Sequence, residues 1–237
     1  MYLKKNIELN DNLFEIIELN PYVLFVFEHL GYIDEPKNLT VKNFCKKNKL
    51  DERLFLSFLN IYNGNSDIPP VKAQKKHLPV IVQFLKHSHN YYKNEKYPYI
   101  NNLLNELNKK VKLKEISLLK KFFEAYKSEV IEHLDYEENN VFPYIEFLIK
   151  SKQNNIFSTK FSIKDYQEHH SDIEEKLSDL KNLLIHHLSV GSNASLKRQI
   201  IFNLYELEYD LHAHSIIEDK ILIPIISSIE KSNEPNL

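Results

Sequence analysis

The stretch EVIEHLDYEENNVFPYI, residues 129–145, has the composition of a helix and places His133 and Glu137 among apolar neighbours. Successive residues of an α-helix are rotated by about 100°, so side chains four positions apart project from one face. A histidine and a carboxylate are costly on a buried face unless they find polar partners. The stretch therefore predicts either a surface pair or a buried site that is built to hold something.

The same chemical pattern recurs in DLHAHSIIEDKILIPII, residues 210–226. Both copies contain an acidic residue, His four positions later, Glu four positions after the His, and Pro six positions after the Glu. Equivalent positions are 81 residues apart throughout, which predicts that two helices of one fold present the same chemistry. The equivalent residues are Glu129 and Asp210, His133 and His214, Glu137 and Glu218, and Pro143 and Pro224.

Long segments with apolar residues three and four positions apart dominate the chain after residue 70. This periodicity predicts an all-α fold, and short connections between long amphipathic segments predict an antiparallel four-helix bundle. The predicted breaks are KNEKYP, SKQNNIFS and SVGSNAS. The four segments are about 71–93, 114–149, 160–188 and 194–229, with 98–111 extending the first.

Shorter helices are predicted ahead of the bundle. The linker-like stretch GNSDIPP separates a small helical N-terminal domain, residues 1–66, from the bundle at 71–230. Pro21 suits the first turn of one short helix and Gly31 its end. The predicted N-caps of the other short helices are Asn10 or Asp11, Thr40 and Asp51.

Composition excludes several classes of protein. The chain has 237 residues, of which 43% are hydrophobic and 27% charged, as in ordinary globular proteins. A net charge of −2 provides no basic field for nucleic acid or membrane surfaces. Neither a signal peptide nor an apolar run of about 18 residues is found, so we expect a cytoplasmic protein. Cys45 is the single cysteine, which excludes an intrachain disulfide.

Each of the other two long segments offers one inward-facing histidine. His89 continues the apolar stripe of the first segment, and His170 lies in that of the third. His87 is turned by about 200° from His89, so the two cannot line one site. His169 has acidic residues at helical spacing and is predicted to face solvent.

Four imidazoles and two carboxylates inside an apolar bundle need partners, which a metal centre would supply. Nitrogen and oxygen donors without a thiolate suit iron or manganese better than a structural zinc site. Six protein ligands are too many for one tetrahedral ion, but they suit two ions bridged by carboxylates. The pattern therefore favours a dinuclear centre in the bundle core.

The segments SHNYY, HLDYEENNVFP, EHHSDIEEKL and HSIIEDKILIP resemble the metal-binding segments of the hemerythrin-like (HHE) family. They are most similar to its iron–sulfur cluster repair branch, in which a small helical domain precedes the bundle, as residues 1–63 do here. The resemblance covers residues 8–229. The metal ligands that it implies are His89, His133, Glu137, His170, His214 and Glu218.

The resemblance implies a function as well as a ligand set. It implies two non-haem iron ions that are bridged by the glutamates and an oxo group. Manganese or zinc can substitute for the iron. Such a protein binds NO or O2 and supports repair of iron–sulfur clusters under nitrosative or oxidative stress. Iron–sulfur client proteins and a homodimer are the implied protein partners, with no nucleic acid or membrane.

Two alternatives stay open on sequence alone. The first is a reversible carrier or sensor of O2 or NO without catalytic turnover, so the chain is not assigned as an enzyme and no catalytic residue is named. The second is a structural or interaction protein without metal. Many members of the repair branch carry a cysteine pair in the N-terminal domain. Because this chain has Cys45 alone, functions that need the pair are not implied.

Several residues near the implied ligands have two readings. Glu129 and Asp210 are either acceptors for the second imidazole N–H of the histidine one turn later or solvated acids. Pro143 and Pro224 are predicted to end or kink their helices. His186 and His187 are predicted to lie at a solvated helix end. Tyr91, Tyr92, Tyr126, Tyr136 and Tyr166 are predicted to be core packing, with hydrogen bonding to a metal-bound species as the alternative.

Overall fold

The computed structural model describes residues 6–32, 38–65, 74–150 and 173–233. In these ranges the chain is all-α, with long helices packed as a bundle from about residue 75 and shorter helices before it, as predicted. None of the helices described combines the length and the apolar character needed to span a membrane. The helices are α1 (Leu13–Leu19), α2 (Leu24–His29), α3 (Val41–Asn48), α4 (Glu52–Tyr62), α5 (Leu78–Tyr91), α6 (Tyr97–Val111), α7 (Lys114–Tyr136), α8 (Phe142–Lys150), α9 (Ile173–Asn182), α10 (Ala194–Ile217) and α11 (Ile223–Asn233).

The contacts between Cα atoms divide the chain into two compact units. The first comprises Met1–Ser88, Phe142–Ile163 and Ala213–Leu237, and the second comprises His89–Val141 and Lys164–His212. Most of the linker GNSDIPP lies outside the described residues. The predicted domain boundary in that linker therefore stays a prediction.

Polar residues begin the short N-terminal helices of the first unit. Thr40 and Asp51 cap α3 and α4 as predicted, each accepting hydrogen bonds from backbone N–H groups of the first turn. Pro21 opens a 3-10 turn that leads directly into α2. Gly31 ends α2 with a φ of +81°, a conformation that a residue with a Cβ rarely adopts.

The cap of α1 differs from the prediction. Asn12 is the N-cap, and its Oδ1 accepts a hydrogen bond from the N–H of Phe14 at 2.9 Å. The predicted caps were Asn10 and Asp11. Asp11 instead accepts the N–H of Glu8 at 2.8 Å, so its carboxylate serves the turn before the helix.

The N-terminal helices share an apolar core with the first part of α5. The ring of Phe84 lies 4.7 Å from Phe58 and 5.2 Å from His29, measured between ring centroids. The Nδ1–H of His87 donates to the backbone carbonyl of His29 at 2.9 Å. His87 therefore faces the N-terminal helices, which agrees with its predicted rotation away from His89.

Cys45 lies fully buried in α3, and burial together with the acids Glu52 and Asp51 raises the pKa of its thiol to about 12. The thiolate is the reactive form, so very little of it exists near pH 7. We expect a thiol-specific reagent to label Cys45 only after denaturation. Rapid stoichiometric labelling of the native protein would contradict this expectation.

The second unit has its own core of leucine, isoleucine and aromatic side chains. Helices α6 and α9 both pack against α7. Among the largest buried residues are Phe123, Tyr97 and Tyr126, and the hydroxyl groups of the two tyrosines lie 3.4 Å apart. The core of the second unit therefore includes large aromatic side chains that are buried between these helices.

Among the described residues, four π-helical segments interrupt or end the α-helices. Three of these segments are followed directly by another α-helix. The predicted break at KNEKYP is therefore wrong, and Pro143 and Pro224 do not end their helices. The continuing helices are α6, α8 and α11. The segments are Tyr92–Lys96, Glu137–Val141, Leu183–His187 and Glu218–Leu222.

The prolines account for these wider turns. A proline inside an α-helix has no N–H to donate, and its ring collides with the carbonyl four residues earlier. Pro98, Pro143 and Pro224 each stand six residues after the first residue of a π-helical segment. Just before Pro224, the N–H of Ile223 donates to the carbonyl of Glu218, five residues back. A π turn therefore lets the helix continue past the proline.

Candidate metal centre

Glu137 lies between two histidines at the junction of α7 and the π-helical segment that follows. Its side chain is fully buried. One carboxylate oxygen, Oε1, is 2.9 Å from His133 Nε2, and the other, Oε2, is 3.1 Å from Nε2 of the fully buried His89. One carboxylate thus contacts imidazoles from α5 and α7, an arrangement that the helical spacing alone could not show.

These two histidines stabilise the negative charge of the Glu137 carboxylate. Burial alone would raise the pKa of its carboxyl group, but the hydrogen bonds and positive charges of His133 and His89 hold that pKa well below its usual range. An ionised carboxylate in this position requires a cation beside it. Protonated imidazoles at His89 and His133, or a metal ion bound by their Nε2 atoms, can supply this positive charge.

The second ring nitrogen of His89 contacts another acid, Glu138. The distance from Nδ1 to Glu138 Oε1 is 3.0 Å, and the same oxygen accepts a hydrogen bond from Lys93 Nζ at 2.8 Å. Lys93 also donates to Asp135 at 2.6 Å. The hydrogen bonds and positive charges of His89 and Lys93 lower the pKa of Glu138 to about 2, although burial opposes this shift. The acid therefore stays ionised and orients the ring with Nε2 toward Glu137.

His214 and Glu218 form the equivalent pair at the junction of α10 and the π-helical segment that follows it. His214 Nε2 lies 3.2 Å from Glu218 Oε1, and both side chains are buried. Ser88 stands behind the ring, because its Oγ is 2.9 Å from His214 Nδ1 and donates to the carbonyl of Leu85 at 2.8 Å. With its single proton committed to Leu85, the hydroxyl accepts from Nδ1–H, which leaves Nε2 to face Glu218.

The donor set fits a metal ion. His89, Glu137 and His214 form a buried group that could hold one. Nitrogen and oxygen donors of this kind suit iron, manganese or zinc. Orientation of each imidazole through its other nitrogen is typical of metal-ligating histidines. Of the predicted ligands, His170 lies outside the described residues, as does its neighbour His169, and the full ligand set stays a prediction.

Ser88 and Glu138 had no signal in the sequence. Ser88 contacts a histidine 126 positions away along the chain, and Glu138 contacts one 49 positions away. Contacts at these separations depend on how helices pack, which periodicity does not report.

The two acids one turn before the histidines have different surroundings. Glu129 is half-exposed and forms an ion pair with Lys176, which agrees with the alternative that it is a solvated acid. Asp210 is fully buried, and its role as an acceptor stays a prediction. His186 and His187 are exposed, as predicted, at the end of the π-helical segment Leu183–His187 that follows α9.

The tyrosines near the ligands are largely part of the packing. Tyr126 and Tyr92 are buried in the core of the second unit. Tyr91 donates from its hydroxyl to Glu206 at 3.1 Å. Tyr136 is partly exposed, and Tyr166 lies outside the described residues. Hydrogen bonding of a tyrosine to a metal-bound species stays a prediction.

Comparison with known proteins identifies the class to which this centre belongs. The model of the hemerythrin HHE cation-binding domain matches residues 81–226, more than half of the chain. The chain therefore belongs to the hemerythrin HHE family. The matched range contains every predicted ligand, from His89 to Glu218. Comparisons with curated proteins and with solved structures gave no match.

Proposed function

We propose that this chain is a non-haem di-iron protein that binds NO or O2 and supports the repair of iron–sulfur clusters under nitrosative or oxidative stress. The observation that carries the proposal is the buried Glu137 carboxylate held between His89 and His133. A second buried His–Glu pair, His214 with Glu218, supplies donors of the same kind. Donors for two ions are thus available, and the repair role extends the sequence resemblance.

The protein residues would hold and orient the ions. The predicted ligands are His89, His133, Glu137, His170, His214 and Glu218, with the glutamates as bridges. Two iron ions held there would supply electron exchange with a small bound gas molecule. Ser88 and Glu138 fix the two imidazoles whose Nδ1 atoms they contact. The surrounding leucines and aromatic residues limit the access of water, which strengthens electrostatic interactions inside the site.

A reversible carrier or sensor is the second candidate function. Cys45 favours it, because the single cysteine of the chain is buried and its thiol pKa is raised. Thiol redox chemistry or delivery of iron by two thiolates is therefore not available from this chain. The carrier function needs only the metal centre and an entry path for a diatomic gas.

Anaerobic mixing of the ferrous protein with NO distinguishes the two functions. We expect sustained formation of N2O when dithionite is present, since two NO molecules, two electrons and two protons give N2O and water. Binding of NO in a fixed ratio to iron, without N2O, would instead establish the carrier. A protein with the substitution His133→Ala serves as the control and should show neither behaviour.

The repair role is tested separately with a purified iron–sulfur enzyme whose cluster has been damaged by NO. Addition of the iron-loaded protein should restore the activity of that enzyme in the presence of a reductant and a sulfide source. The Glu137→Gln variant and free ferrous iron at the same concentration are the controls. Recovery that is equal in all three samples would remove the repair role and leave the gas-binding function standing.

A further inference from the structure

The chain enters α5 through a turn that is fixed to the N-terminal helices α1–α4 by Asp51. This acid caps α4 with its Oδ1 atom. Its Oδ2 atom lies 3.0 Å from Lys76 Nζ and 3.1 Å from Nε2 of the buried His77. His77 Nδ1 accepts the backbone N–H of Gln74 at 3.1 Å, which orients the other ring nitrogen toward the carboxylate. One acid therefore joins the start of α4 to the start of α5.

The middle of α5 packs against the same helices through Phe84. Its fully buried ring lies 4.7 Å from Phe58 of α4 and 5.2 Å from His29 of α2, measured between ring centroids. Aromatic pairs at such distances contribute more than the burial of their area alone. Ser88 follows Phe84 by four positions, so the two side chains project from one face of α5.

His87 attaches the next turn of α5 to the end of α2. Its Nδ1–H donates to the backbone carbonyl of His29 at 2.9 Å. Gly31 leaves room for the ring, because a Cβ at this position would lie only 3.2 Å from His87 Cε1. His87 is otherwise exposed, so its replacement leaves no cavity in the core. The N-terminal helices thus hold α5 up to the residue before Ser88.

Ser88 connects this packing to the metal centre. Its Oγ lies 2.9 Å from His214 Nδ1 and donates to the carbonyl of Leu85 at 2.8 Å. The residue that follows Ser88 is His89, which is itself a candidate ligand. The placement of this turn of α5 therefore sets the orientation of His214 and the position of His89. Metal sites need ligands held within about 0.5 Å of the binding geometry.

We propose that the N-terminal helices are a positioning element for the metal centre and that Phe84 and His87 are the positioning residues through which they act. Packing of these helices against α5 holds Ser88 and His89 in the geometry that binds metal. Loosening of the packing lowers the metal affinity, and bound metal stabilises the packing in return, because such coupling is reciprocal. This inference rests on the proposed metal centre and gives the N-terminal helices a role in it.

Titration of the metal-free full-length chain with Co2+ under anaerobic conditions, followed by visible absorption, tests the role of His87. His87→Ala removes the hydrogen bond to His29 and should weaken Co2+ binding by about 2- to 13-fold, the range that one hydrogen bond contributes. His87→Asn should restore the affinity, because its amide places an N–H near the position of Nδ1. The matched control is His186→Ala, which removes an exposed histidine elsewhere and should leave the affinity unchanged.

Two substitutions of equal size separate positioning from general stability. Phe58→Leu removes the ring that packs on Phe84 of α5. Phe44→Leu removes a ring that packs against Phe27 and Phe55, both at 5.2 Å, within the N-terminal helices. Both substitutions should lower the melting temperature. Only Phe58→Leu should weaken Co2+ binding, by at least as much as His87→Ala.

Three outcomes would count against these proposals in different ways. Unchanged Co2+ affinity in His87→Ala or in Phe58→Leu would overturn the inference. Equal weakening by Phe44→Leu and Phe58→Leu would overturn it as well, because the N-terminal helices would then contribute stability alone. Absence of Co2+ binding by the unaltered protein would remove the proposed metal centre, and the inference with it.

Discussion

We expect Glu137→Gln to lower the affinity of the protein for its metal by more than about 100-fold, beyond the usual effect of removing an outer partner of a ligand. The substitution keeps the shape of the side chain but removes the charge that lies between His89 and His133. The Gln amide group would also place N–H bonds where a metal needs lone pairs. Competition with a chromophoric chelator measures the affinity, and circular dichroism should show an unchanged helical content.

A matched control for this change is Glu129→Gln in the same helix. Glu129 is half-exposed and pairs with Lys176, and surface ion pairs of this type contribute little to stability. Its replacement should leave both affinity and helical content unchanged. Equal metal affinity in the Glu137→Gln variant and the unaltered protein would show that the buried carboxylate is not a ligand.

Removal of the metal should lower the melting temperature by about 5 to 11 °C when the comparison is made at 100 times the dissociation constant. Binding at that excess stabilises the folded state by about 2.7 kcal/mol, and each kcal/mol corresponds to about 2–4 °C for a protein of this size. The cause is local, because the metal would bind among buried imidazoles and carboxylates.

Calorimetry of the chelator-treated and the metal-loaded protein measures this shift. The same comparison on Glu137→Gln controls for metal bound elsewhere, since the variant should show little dependence on added metal. Identical melting temperatures for the two forms of the unaltered protein would mean that the buried His–Glu pairs are stable without a metal ion. That outcome would favour a structural role for them.

The placement of each His–Glu pair on one helix face could be predicted because it depends on local spacing. His133 with Glu137 and His214 with Glu218 are four positions apart, so any helix places the members of each pair on one face. The same spacing gave the all-α class and the order of long helices after short ones. Thr40 and Asp51 could be assigned as caps because capping acts within one turn.

The features that could not be predicted involve either long-range packing or backbone irregularity. Ser88 and Glu138 touch histidines on other helices, and the sequence carries no sign of the distance between those helices. KNEKYP was predicted to be a break and Pro224 to end or kink its helix, but the chain stays helical past Pro98 and Pro224 because a π turn moves the hydrogen bonds to the fifth residue.

The most direct test of the central claim is the iron content of protein produced with iron and exposed to air, measured together with its absorption spectrum. The account predicts two iron ions per chain, charge-transfer absorption from the ferric centre, and loss of both in the His133→Ala variant, since His133 contacts the proposed bridging carboxylate of Glu137. An iron content far below two per chain that is unaffected by His133→Ala would contradict it.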